Sequence, residues 1–380
     1  MKPIYFILLV SVFIKQVPCK SHCVGTCYSG RLFPEAQDIF HGKHLKGYSY
    51  NNITTDDPAK CYHHCVQDCR CKSCQMKNRR CELLDEDRTS ITLTDEPGYV
   101  YFDLKQTMYQ GASNMIPSGV HQCYNGCCRS QPCMNGGTCK ELCRTPKEKF
   151  TCECGNRFRG NVCETQIYSS CKDVVTRLSP KKSLKGVYFI RRTDSKNIIR
   201  IYCHFAKNKN RYWTLIESFS LKNNYLFKAK PFYANYSINQ DRPLNWDAYR
   251  LSLDDMKSFR SSSTLFRATC DFPLRNAFES DFVIGHLKEV DIMDDTKVLG
   301  CKRYGHINIR GYNCSACTAF TAHSNDWHFH IDVTHNRCDF KPKYTKYSVD
   351  SFGQYEHTEQ ESKCTATLQS TTQWWLGEEK

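Results

Sequence analysis

The 37 residues from Cys127 to Cys163 hold eight of the chain's 26 cysteines and few aliphatic side chains. A segment so short cannot bury enough apolar surface to fold on hydrophobicity alone. Cross-links, at roughly 2–4 kcal/mol each, must replace the missing core. Six of the eight stand at Cys128, Cys133, Cys139, Cys152, Cys154 and Cys163, with Asn135-Gly136-Gly137 after the second and Gly160 before the last. Spacing alone leaves the pairing open. In a reducing compartment such a cluster would argue for zinc, and in an oxidising one for disulfides. The N-terminus decides for the second.

Lys2 precedes an apolar run from Ile4 to Ile14, and Val17-Pro18-Cys19 follows. The run is too short to span a bilayer and reads as a secretory signal over residues 1–19. No later run approaches the length of a membrane span. The expectation is a soluble, secreted, extracellular chain with no transmembrane segment. Cleavage after Cys19 would leave an odd number of cysteines. Cys123 is expected to be the one over, free to link two chains in a dimer.

Residues 20–104 form a first predicted module. Asp57-Pro58 reads as a helix N-cap followed by proline at the first helical position. Cys61, Cys65 and Cys69 recur every four residues, along one helix face. Short strands are expected around Ser73–Met76 and Cys81–Leu84. Residues 105–126 carry Gly, Ser, Asn and Pro without apolar periodicity and read as a linker. From residue 168 onward cysteines thin out and short aromatic and aliphatic strands appear, among them GVYFI, IIRIYC and YWTLIE.

The Cys128–Cys163 pattern resembles an EGF-like module over 127–165, a small β knot. The resemblance implies bridges Cys128–Cys139, Cys133–Cys152 and Cys154–Cys163. The extra Cys127 and Cys143 are expected to pair with each other. No carboxylate precedes the first cysteine, so no calcium is expected there. Residues 20–104 resemble a PAN/apple domain, an α+β module. That implies Cys61–Cys81 and Cys65–Cys71, and leaves Cys23, Cys27, Cys69 and Cys74 for two more bridges. Residues 168–380 resemble a fibrinogen C-terminal-like domain, also α+β, which implies Cys171–Cys203. Cys338–Cys364 is a further expected bridge. PAN, EGF and fibrinogen-related domains occur together in secreted cnidarian proteins, some of them in coral skeletal organic matrix. The resemblance therefore implies a disulfide-rich, multidomain, non-catalytic matrix or adhesion protein, with a biomineralisation setting as an extension. A soluble lectin-like recognition protein is the second reading. Against it, no Asp-rich calcium loop stands between Ala322 and Cys338, and Asp291, Asp294 and Asp295 read as a solvated turn.

Charge supplies the candidate site. The chain carries 53 Lys+Arg against 39 Asp+Glu, a net charge of +14. Thirteen basic residues and two acids, Asp194 and Glu217, fall between Lys181 and Lys230. Alternate strand residues share a face. Lys181, Lys182, Lys185, Arg191, Arg192, Arg200, Lys207, Lys209 and Arg211 are therefore candidates for a surface that attracts acidic glycans or acidic matrix proteins. Nucleic acid is excluded by compartment. A scattered solvated surface is the alternative. In Trp327–His335, His328, His330 and Asp332 would share one strand face and could hold zinc; a half-buried strand with a wet polar face is the competing reading. Neither a metal nor another cofactor is assigned. Asn52, Asn235 and Asn313 begin N-glycosylation acceptor patterns. Sequence motifs of hydrolases, nucleotide-binding loops and dinucleotide folds are lacking, so no catalytic residue is assigned.

Overall fold

The computed structural model describes residues 24–31, 33–116, 123–179, 184–192, 197–206, 210–272, 281–331, 337–341, 351–358 and 361–379. The segment read as a signal peptide lies outside them, as do Lys181, Lys182, Lys207, Lys209 and Asp332. The described residues are mostly β-strand, with three short α-helices and many disulfides. Two parts were expected to be α+β, but their helices are only 8 to 10 residues long and serve as covers on sheets. The chain divides into two units, Met1–Gln166 and Ile167–Lys380.

The first unit contains β1 (Thr26–Gly30), β2 (Ile39–His44), β3 (Ser49–Thr54), α1 (Pro58–Gln67), β4 (Ser73–Lys77), β5 (Arg80–Leu84), β6 (Thr94–Asp103) and β7 (Gln106–Gln110). Five of the strands form one sheet in the order β2-β6-β4-β5-β3. Helix α1 starts where the sequence places it: Asp57 Oδ1 accepts the Ala59 N–H at 2.8 Å, with Pro58 behind it. Cys61 and Cys65 lie on its buried face and are bonded to Cys81 and Cys71. The β4–β5 hairpin turns on Asn78-Arg79, both with positive φ, the backbone that a two-residue hairpin needs.

Five expectations fail in this unit. The helix ends at Gln67, and the N–H of the following cap residue, Asp68, reaches the His64 and Cys65 carbonyls. Cys69 therefore falls beyond the helical face and is bonded to Cys127. The bridge Cys127–Cys143 is thereby excluded, and Cys143 is bonded to Cys123. Cys123 is thus neither free nor available for a dimer link. Nor is 105–126 a linker throughout, because Gln106–Gln110 is β7, antiparallel to β1. Nor do Cys69 and Cys74 share two further bridges with Cys23 and Cys27: Cys69 is bonded to Cys127, and Cys74, fully buried on β4, is the free cysteine among the described residues, its thiol pKa pushed up by burial. Cys27 is also disulfide-bonded.

The cysteine knot completes the first unit. A short hairpin joins β8 (Thr138–Glu141) to β9 (Phe150–Glu153), and β10 (Phe158–Arg159) pairs with Thr165 and Gln166 of β11 (Thr165–Tyr168). Cys128 is bonded to Cys139, Cys133 to Cys152 and Cys154 to Cys163.

The second unit opens with α2 (Cys171–Leu178), capped by Ser170 Oγ, which accepts the Asp173 N–H. Cys171 is bonded to Cys203. Then come β12 (Leu184–Arg191), β13 (Ile198–Ala206), β14 (Arg211–Ser220), β15 (Ala248–Arg250) and α3 (Leu253–Arg260). They are followed by β16 (Leu265–Cys270), β17 (Phe282–His286), β18 (Val298–Ile309), β19 (Tyr312–Ser324), β20 (Trp327–Ile331) and β21 (Thr371–Glu379). Nine of these strands run β12-β13-β14-β21-β16-β17-β18-β19-β20 in one sheet, with β15 added to β14 and Ile167-Tyr168 lying parallel to β12. The C-terminal strand β21 is thus central. Its Trp374, Trp375 and Leu376 are fully buried in the main core. Gly377 is required there: a Cβ would stand 2.5 Å from the Trp213 ring. The expected Cys338–Cys364 bridge does not form. Cys364 is bonded to Cys270 and Cys338 to Cys301, while Cys314 closes on Cys317.

Candidate polyanion-binding face

The register of the second sheet decides which basic residues share a surface. Lys185 stands opposite His204, Phe189 opposite Arg200, Ala206 opposite Arg211 and His204 opposite Trp213. Opposed residues project to the same side. Lys185, Arg191, Arg200 and Arg211 therefore lie on one face, together with Tyr202, His204 and Trp213. Across β21 the same face continues to Trp375 and Arg267. Arg192 falls on the opposite face and meets Asp255 at 3.3 Å. It leaves the candidate set because that carboxylate neutralises it.

The members of the face differ in how much charge they keep. Lys185 and Arg200 are exposed and have no carboxylate partner among the described residues. Arg211 is held by Glu379, at 2.7 Å from Nη2 and 2.8 Å from Nε. Arg191 is half-buried. Glu217, counted as one of two acids diluting the basic segment, is fully buried and does not face these cations.

Arg267 is the member that sequence reasoning missed. It is 1% exposed. Its guanidinium lies 4.6 Å from the Trp213 ring and 4.4 Å from the Trp375 ring. Nη2 lies 2.8 Å from His204 Nδ1, while Nε and Nη1 have no hydrogen-bond partner. Burial pushes the pKa of this guanidinium down. Burial, then Arg267, then Lys185 push His204 down to about 2, so its ring is neutral and accepts from Nη2. The buried cation is held by two indole faces, each such contact worth about 2 kcal/mol when desolvated, and it adds positive potential behind the exposed pair. A lone Arg in the apolar run LFRATC was the available signal.

The His-x-His strand is built differently from the expectation. On β20, His328, Phe329, His330 and Ile331 are all buried, so neither face is wet. His328 Nε2 lies 2.7 Å from Glu217 Oε1 and Nδ1 lies 2.9 Å from the Phe329 carbonyl. Both ring nitrogens face oxygen acceptors, and a metal could bind only by displacing one. A β-bulge between Leu215 and Glu217 turns Glu217 onto the His328 side. Arg250 Nη1 then donates to Glu217 Oε2 at 2.9 Å and to the Lys230 carbonyl, and Nη2 donates to the Pro231 carbonyl. Arg250, Glu217 and His328 are 0% exposed, and the trio is a structural element of the core. Among the described residues no group of three or more His, Cys, Asp or Glu side chains is placed to hold a metal.

Asn52, Asn235 and Asn313 are all exposed. The Cys314–Cys317 bridge next to Asn313 leaves its side chain at the surface. Asp291 accepts from Arg260, and Asp294 caps its own turn through Thr296. No helix of the described residues is long and apolar enough to cross a membrane. No protein-family model, curated protein or solved structure matches the chain.

Proposed function

We propose that this chain is a secreted, disulfide-stapled matrix or adhesion protein. On this reading it binds acidic glycans or acidic matrix proteins through the basic face of the second unit and carries out no chemistry. The first unit is then a PAN/apple-like fold joined to an EGF-like knot, and the second a fibrinogen-related fold. A mineralised skeletal matrix is the proposed setting. The observation that carries the proposal is the pair of exposed cations, Lys185 and Arg200. They share a face with half-buried Arg191 and buried Arg267, and neither has a carboxylate partner among the described residues. The eleven bridges among the described residues support an oxidising compartment.

The test is retention on an immobilised sulfated polysaccharide. Binding is expected to weaken steeply between low and high salt, because contacts between exposed charges are screened within about 10 Å at 0.1 M ionic strength. EDTA should leave it unchanged. Retention that survives high salt but is released by EDTA or by a free acetylated sugar would replace this reading with a lectin-like one.

A further inference from the structure

Two adjoining cavities of about 400 and 300 Å³ open in the first unit, between the helix–sheet part and the cysteine knot. They share Cys69, Arg70 and Phe150 as lining residues. The Cys69–Cys127 bridge fixes one side of the cleft. The other side is fixed by Lys147, which reaches from the knot to Asp87 and Asp103 at 2.5 and 2.6 Å.

The cations of the smaller cavity are matched, with one exception. Arg70 is paired with Asp85 at 2.7 Å, Lys72 with Glu86 at 3.4 Å, and Lys147 with its two aspartates. Lys149 lines the same cavity and is 3% exposed. Its ammonium lies 5.0 Å from the Tyr28 ring centroid and has no hydrogen bond or ion pair among the described residues. The carboxylate whose field reaches it, Asp68, is already engaged by the Tyr50 hydroxyl and the Arg70 N–H. Glu148, exposed at the rim, makes no ion pair with it. An unmatched buried ammonium is costly, and burial lowers its pKa to about 8. A bound anion would remove that cost.

We propose that this cleft binds one small organic monoanion, a sugar acid of the hexuronate type, with its carboxylate on Lys149. One unmatched cation calls for one negative charge. A volume of about 300 Å³ is at the small end of ligand sites and suits a single sugar ring. The polar lining from Lys72, Thr151 and Asn161, beside the ring of Phe150, suits hydroxyls next to a sugar's apolar face. The inference deepens the acidic-glycan reading but places a second site, on the other unit, so the two stand or fall separately.

The test uses the intact oxidised protein and sodium glucuronate. Lysines are reductively methylated in low reagent, and Lys149 is followed by peptide mass spectrometry. Glucuronate at about ten times its dissociation constant should slow Lys149 modification roughly tenfold by mass action, while glucose should not. Calorimetric binding of glucuronate should be lost in Lys149→Met, with sulfated-polymer retention unchanged. No protection by glucuronate, equal protection by glucose, or wild-type glucuronate affinity in Lys149→Met would each overturn the proposal. If Lys149→Met does not fold, the protection experiment on the natural chain decides. Lost polymer retention with intact glucuronate protection would remove the basic-face reading and leave the cleft standing.

Discussion

Single residues in the second unit carry charge in two contrasting ways. Lys185 and Arg200 keep theirs in solvent, where truncation costs little stability. Arg250 gives its charge to Glu217 inside the core, where removal leaves a buried carboxylate short of its partner. Arg250→Leu is therefore expected to destabilise the second unit by roughly 3–5 kcal/mol, against about 0.5 kcal/mol or less for Lys185→Ala. Denaturant midpoints of the two variants check this, and equal midpoints would contradict the trio's role. At this scale the sequence showed which residues are basic but not which stay charged at the surface. Glu217 looks like a diluting surface acid until the bulge after Leu215 turns it toward His328. His328 and His330 read as a polar strand face because periodicity says nothing about what covers the second side of a sheet. Arg267 is marked only by its place in the apolar run LFRATC and Lys149 not at all, because burial of a cation depends on aromatic rings and loops distant in sequence.

The elements were more legible where their cause is local. Asp57-Pro58 caps α1 by its own side chain, and the alternating runs became β12, β13 and β14. Within the knot, Cys128–Cys139, Cys133–Cys152 and Cys154–Cys163, the pairings the resemblance implies, span only 11, 19 and 9 residues. Long-range bridges escaped, since isolated cysteines carry no pairing information in their spacing. Cys69 was placed on a helix that ends at Gln67, two residues before it, and Cys338 and Cys364 found partners on strands β18 and β16. The Cys69–Cys127 bridge, with a separation of 58 residues, ties the knot covalently to the helix–sheet part. Replacing both by serine is expected to lower stability by up to about 4 kcal/mol, the loop-closure figure for a loop of that size. It should also expose the knot to limited proteolysis while the three short knot bridges persist. A double variant as protease-resistant as the natural chain would show that Lys147 and its aspartates suffice to hold the cleft.

For the whole molecule, disulfides and charge set what the chain is suited to do. Seven of the eleven described bridges lie in the first unit and stand in for a large core there, and under the proposed function the net charge of +14 favours acidic partners. What positions the basic face is strand register, which the sequence foreshadowed through alternation alone and which removed Arg192 from the set. The most direct measurement is affinity for a sulfated polysaccharide as a function of salt, for the natural chain and for the Lys185→Glu/Arg200→Glu variant. With each exposed charge worth roughly 1 kcal/mol or less, the double reversal should cut low-salt affinity about tenfold and flatten the salt dependence, with the fold intact. Unchanged affinity and an unchanged salt slope would contradict the account.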